Sequence, residues 1–277
     1  MQPTCFEFTG EDGITLKADA YGDRNNPPVI LSHGGGQTRH SWGGTASELA
    51  SRGWYAVAYD HRGHGESEWS EEGLYDLAHF SLDMACLARS FDEPPVIVGA
   101  SLGGIAAMLG AGEIHQEMFK AIVLVDVTPS LNLDGVQRIF DFMNEHIERG
   151  FGSLEEAADA VALYTGRPRR DDASGMRKNL REKDGRFYWH WDPKFFAQSE
   201  DSPEKPTRVI AAARAITLPV LLIRGRASDV VTEAEVQEFL ELIPHASYVD
   251  VEKARHMVAG DRNDIFTEAV LGFLETL

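Results

Sequence analysis

Pro95-Val96-Ile97-Val98-Gly99-Ala100-Ser101-Leu102-Gly103-Gly104 is the stretch that decides the fold. Pro95 to Val98 are apolar and mostly β-branched, the composition of a strand buried on both faces. The small residues Gly103, Gly104, Ala106, Ala107, Gly110 and Ala111 predict a following helix that lies close to a sheet, with Ile105, Met108 and Leu109 filling the gaps. Between the two sits Gly-x-Ser-x-Gly. A sharp strand-to-helix turn strains its central residue, and side chains at Gly99 or Gly103 would meet neighbouring backbone. Such a turn lifts the Ser101 hydroxyl out of the sheet. It also puts the Leu102 N–H at a helix start, where the backbone favours a developing negative charge.

The same strand–helix rhythm runs through most of the chain. Cys5–Phe8 and Thr15–Tyr21, separated by Gly10-Glu11-Asp12-Gly13, form a hairpin signal. Val29–Ser32, Trp54–Tyr59, Ala121–Val125, Pro219–Ile223 and Ala246–Val251 are further strands. Helical spacing marks Ser41–Arg52, Asp76–Phe91, the Thr232…Glu235 capping box with Val236, Phe239, Leu240 and Ile243, and the terminal stripe from Ile265 to Leu274. Alternation of this kind implies an α/β protein with a mostly parallel eight-stranded sheet covered on both faces.

The rhythm breaks between residues 130 and 215. That stretch shows only helical patterns, at Val136–Arg149, Ser153–Tyr164, Gly175–Glu182 and Thr207–Ala215. Residues 1–129 and 216–277 are therefore expected to form the core, with 130–215 as an inserted helical cap over the carboxyl ends of the strands. The cap holds the densest aromatic patch, Arg186-Phe187-Tyr188-Trp189-His190-Trp191-Asp192-Pro193. Most of these rings are expected in the cap's own core. Trp189 and Trp191, with Met257, are the candidates to line a substrate pocket.

Composition excludes several function classes. The 277 residues carry 26 Lys and Arg against 44 Asp and Glu, a formal charge of −18, which argues against nucleic acid and anionic membrane as partners. Two cysteines, Cys5 and Cys86, give neither a disulfide framework nor a metal cluster, and a reducing compartment fits. No apolar run approaches membrane-spanning length and no basic-then-apolar leader opens the chain, so a cytoplasmic location is expected. His61 and His64 lack further ligands at suitable spacing and read as loop residues.

A neutral serine is a poor nucleophile at pH 7, so Ser101 needs a base and a group to orient it. His256 is the base candidate among the ten histidines, because a loop between the last strand and last helix reaches across the carboxyl edge of the sheet. Asp229, just after the strand Pro219–Ile223, is the first choice as its orienter. Asp126, which ends the strand Ala121–Val125, occupies an equivalent place and is the alternative. Three glycines after the strand Val29–Ser32, in His33-Gly34-Gly35-Gly36, bring backbone close to something, which in a hydrolase is substrate oxygen.

Gly99-Ala100-Ser101-Leu102-Gly103, His33-Gly34-Gly35, the turn from Asp60 to Ser67, Asp229 and His256, in the order Ser…Asp…His, resemble the α/β-hydrolase superfamily nearly end to end. The resemblance implies Ser101 as nucleophile, His256 as base and then acid, Asp229 or Asp126 as orienter, and Gly35 and Leu102 as oxyanion N–H donors. Ser101 separates the chain from relatives with Asp at that turn, the epoxide hydrolases and haloalkane dehalogenases. Leu102 departs from the Met that serine carbon–carbon hydrolases and perhydrolases often carry there, a small mark against them.

The expected activity is hydrolysis of a small or medium-sized carboxylic ester or lactone through an acyl-enzyme, which requires neither metal nor organic cofactor. A large cap excludes a long polymer. The alternatives are carbon–carbon bond hydrolysis by the same triad, or a ligand receptor with a vestigial triad.

Overall fold

The computed structural model describes residues 1–114, 117–169, 171–197, 205–252, 254–256, 258 and 263–277. Ten strands are present among them: β1 (Thr4–Thr9), β2 (Thr15–Tyr21), β3 (Pro28–Ser32), β4 (Tyr55–Tyr59), β5 (Val96–Ala100), β6 (Ala121–Val125), β7 (Leu180–Lys183), β8 (Arg186–Trp189), β9 (Val220–Gly225) and β10 (Ser247–Val251). The helices are α1 (Gly43–Ser51), α2 (Leu77–Ala88), α3 (Leu102–Leu109), α4 (Leu133–Glu145), α5 (Leu154–Thr165), α6 (Lys194–Ala197), α7 (Lys205–Ala215), α8 (Glu233–Leu242) and α9 (Asn263–Leu274).

Eight strands make one sheet in the order β1-β2-β4-β3-β5-β6-β9-β10. The hairpin edge is antiparallel; from β4 to β10 every pairing is parallel. Parallel strands carry helices on both faces, and alternate residues divide accordingly. Val29, Leu31, Val96, Val98, Val123 and Ile223 pack with Leu49 of α1 and Phe266 and Val270 of α9. Ile30, Val57, Ile97, Ile122, Leu124 and Leu222 pack on the opposite face with Phe80 and Met84 of α2, Ala106 and Ala107 of α3, and Phe239 of α8.

Two expectations between β6 and β9 change. Gly175–Glu182 is not a helix: a 3-10 turn over Ser174–Asn179 leads into the two-stranded hairpin β7–β8. Leu180 alone in β7 is buried while Arg181, Glu182 and Lys183 are exposed, so the hairpin lacks the apolar run of a buried strand. α7 also packs against α3 and the turn Gly110–Ile114 that follows it, where a Cβ on Gly112 would run into the backbone of Ala212. It therefore covers the sheet.

The rest of the insert is fastened to the segment after β4. The Gly65 N–H donates to His190 Nδ1 at 2.6 Å and the Asp192 N–H to the Gly63 carbonyl at 2.8 Å. Tyr75 donates its hydroxyl to Asp192 at 2.7 Å, and Arg181 lies 4.3 Å above the Trp69 ring while donating to the Gly65 carbonyl. The turn that receives these contacts is itself pinned: Arg62, fully buried, grips Asp83 of α2 at 2.7 Å through two nitrogens, and Arg39 pairs with Asp60, Asp19 and Glu66. A guanidinium held by fixed carboxylates leaves that turn little freedom.

Packing around the start of α3 excludes any side chain at two positions. A Cβ on Gly99 would sit 2.6 Å from the Gly103 carbonyl oxygen, and one on Gly103 would sit 2.5 Å from that of Ser32. Gly99→Ala should lower the unfolding free energy by about 2–3 kcal/mol in urea titration, as overpacking against rigid backbone does. Gly175→Ala, whose added methyl meets nothing within 4 Å, should stay within about 0.5 kcal/mol.

Candidate active site

The parallel register brings four strand ends to one edge. Ser32 pairs with Gly99, Ala100 with Val125, and Val125 with Ile223, so the residues following β3, β5, β6 and β9 are neighbours there. Ser101 follows β5 with φ 46° and ψ −115°, outside the usual regions for a side-chain-bearing residue. Backbone of this kind costs on the order of 1–3 kcal/mol and persists only where packing over-determines it. Here Gly99, Gly103 and Ser32 supply that packing. The Leu102 N–H opens α3 and has no carbonyl one turn back to bond.

The loop His33-Gly34-Gly35-Gly36 passes directly over this turn, since a methyl group on Gly34 would sit 3.2 Å from Cβ of Ser101. Gly35 is half-exposed, and its N–H has no acceptor among the described residues. Three side chains from the insert face the loop. Phe195 lies 3.5 Å from the Cβ position of Gly35, and Met143 of α4 and Trp191 lie against that of Gly36. All three are buried, which makes the surroundings of the loop apolar.

Asp126 follows β6, also at positive φ, 49°, and is fully buried. One carboxylate oxygen accepts the Gly225 N–H at 2.9 Å. The other takes the Ser228 hydroxyl at 2.5 Å and His256 Nδ1 at 2.8 Å. Nδ1 therefore carries the proton, and Nε2 is the nitrogen free to act as base.

Asp229 is not the partner of His256. Its carboxylate is half-exposed and pairs with Arg138 of α4. The physical reason lies one residue earlier: Ser228 turns inward to Asp126 and accepts the Val230 and Val231 N–H groups at 3.2 and 3.3 Å, which turns its neighbour outward.

The predicted pocket residues divide. Trp189 belongs to the insert's own packing, stacked at 4.8 Å on Trp191 and edge-on to Phe142 and Phe151. Trp191 reaches the glycine loop, and Met257 lies outside the described residues. Phe195, Met143 and Ser228 are additions to the expected set. Met143 had a signal in the Val136, Ile139, Phe140, Met143 stripe of α4; Ser228 had none, since its role depends on Asp126, 102 residues earlier in the chain and brought beside it only by the pairing of β6 with β9.

Beneath the loop lies a cluster of four fully buried imidazoles. His33 and His61 have ring centres 4.5 Å apart, His33 and His64 5.4 Å, and His64 and His190 6.0 Å. His61 and His64 are thus interior residues, and among the described residues no group of His, Cys, Asp or Glu is placed to hold a metal ion. Burial pushes His33 down to about 4 and His64 to about 3, and pushes His61 and His190 well below the usual imidazole value. All four are neutral at pH 7. As pH falls from about 6.5 to about 4, the unfolded chain binds protons that the folded one refuses, so stability present at neutral pH is lost across that window. His33 alone accounts for about 3 kcal/mol of it. Urea midpoints from pH 7 to 4 should fall steeply, and a flat profile would contradict the neutral cluster.

The model of the alpha/beta hydrolase family matches residues 29–269. An esterase of Mycobacterium tuberculosis, Rv0045c, is 32% identical over 268 residues, covering 90% of this chain and 83% of that protein. A 3-hydroxybutyrate-oligomer hydrolase of Cupriavidus necator is 28% identical over 251 residues, covering 85% of each. The crystal structure of an E-2-(acetamidomethylene)succinate hydrolase superposes with a TM-score of 0.84 over 99% of both chains at 22% identity, a likeness of fold.

Proposed function

Because the chain belongs to the alpha/beta hydrolase family, we propose that this hydrolase cleaves a small or medium-sized carboxylic ester or lactone with Ser101, His256 and Asp126 as its triad. The observation that carries the reading is the 2.8 Å bond from His256 Nδ1 to the buried Asp126, at the same sheet edge as the strained Ser101. The esterase relative supports an ester as substrate.

In this mechanism the Ser101 hydroxyl attacks the carbonyl carbon while His256 Nε2 takes its proton. Asp126 holds the ring in the required tautomer and stabilises the imidazolium that forms. Charge moves onto the carbonyl oxygen, which rests on the Gly35 and Leu102 N–H groups, each worth about 3 kcal/mol in the transition state. His256 then protonates the leaving alcohol. Water, deprotonated by the same nitrogen, releases the acid from Ser101.

The segment from residue 130 to the start of α7 acts as the cap. Phe195, Met143 and Trp191 give the site an apolar wall, which suits an uncharged acyl group and keeps bulk water from the acyl-enzyme. Substrates with a charged acyl chain are correspondingly disfavoured.

Steady-state hydrolysis of short p-nitrophenyl esters and of a lactone series tests the assignment. Ser101→Ala should abolish turnover, and Asp126→Asn should lower kcat on the order of 10³–10⁴-fold by losing the tautomer. Asp229→Asn should leave kcat within a few-fold. The opposite ranking of the two aspartates would reassign the acid, and full activity in Ser101→Ala would end the proposal.

A further inference from the structure

The unexplained feature of the site is why a Gly-Gly-Gly loop, with every conformational freedom, should present one peptide in one orientation. Two hydrogen bonds answer this. The Gly34 carbonyl accepts His33 Nδ1–H at 2.8 Å and the Gln37 N–H at 3.1 Å, so both of its lone pairs are occupied on the buried side. The peptide that follows is planar and trans, so its N–H, which belongs to Gly35, points opposite to that carbonyl. Whatever fixes the Gly34 oxygen fixes the Gly35 N–H.

The tautomer of His33 is set in turn. The His61 backbone N–H donates to His33 Nε2 at 3.0 Å, which makes Nε2 the acceptor and leaves the proton on Nδ1. The His61 ring answers with Nε2 at 3.0 Å from the His33 carbonyl, so the preceding peptide is held too. Full burial keeps His33 neutral and this arrangement intact at physiological pH. The side chain is fully buried, and it reaches the glycine loop through its bond to the Gly34 carbonyl.

We infer that His33 is a positioning residue for catalysis: its Nδ1–H, directed by the His61 backbone, locks the Gly34–Gly35 peptide so that the Gly35 N–H faces the oxyanion. The inference rests on the reading of Ser101 as nucleophile. A peptide flip in the unlocked loop would put the Gly34 carbonyl where the donor belongs and repel the developing charge.

The test compares His33→Asn, whose Nδ2–H occupies nearly the place of the imidazole Nδ1–H, with His33→Leu, which offers no donor. His33→Leu should lower kcat about 100-fold with KM little changed, and weaken butylboronic acid, which forms a tetrahedral anionic adduct on an activated serine, by the same factor. His33→Asn should recover most of both. Equal kcat and equal boronate affinity in His33→Leu and wild type would overturn the inference while leaving the nucleophile in place. Failure of the wild-type enzyme to bind the boronate would instead remove the nucleophile reading itself. Should His33→Leu not fold, long-range ¹H–¹⁵N spectra of the wild-type protein decide: a proton on Nδ1 with bare Nε2 supports the lock, and a proton on Nε2 refutes it.

Discussion

Helix α3 begins where three backbones meet, and the geometry of the strand ends around Ser101 follows from that contact. Gly103 lies against the Ser32 carbonyl and Gly99 against the Gly103 carbonyl, leaving no room for a Cβ at either position. The strand can reach the helix only by a turn so sharp that Ser101 is forced to a positive φ. Because β3 and β5 are adjacent and parallel, the loop after Ser32 is carried over the same turn. The strained serine turn and the glycine loop over it are thus consequences of one packing constraint.

A similar economy governs Asp126. Asp126 leaves β6 at positive φ and closes a small polar knot in an otherwise apolar edge, with Gly225 N–H, Ser228 and His256 as its donors. A buried carboxylate is tolerable only when its oxygens are bonded, and three donors meet that requirement. The donors come from the end of β9, the loop after it and the loop after β10, so Asp126 ties these elements together at the sheet edge. The neutral histidines under the glycine loop do the same on the other side of Ser101, with rings and backbone bonding one another in place of charge.

Much of this was legible in the residues because parallel strands buried on both faces read as uninterrupted apolar runs. Pro95–Val98 and Ala121–Val125 needed no tertiary knowledge, and Gly99 and Gly103 announced a close approach by their spacing around Ser101. The choice between Asp229 and Asp126 was not legible: both stand just beyond a strand end, and what separates them is the inward turn of Ser228. β7 escaped because Arg181, Glu182 and Lys183 face solvent, and the hairpin is held by contacts with Trp69 and Gly65 distant in sequence. His61 and His64 looked like loop residues because burial is a property of what lies above them. Their neutral state follows from the insert closing over the turn.

The central claim is that Ser101 is activated through His256 by Asp126, and the most direct measurement is the rate at which a small organophosphonate adds to the protein, followed by intact mass. The account predicts a single adduct on the wild-type chain, none on Ser101→Ala, and an adduct on Asp126→Asn that forms orders of magnitude more slowly. An Asp126→Asn variant that is folded and labels at the wild-type rate would contradict it.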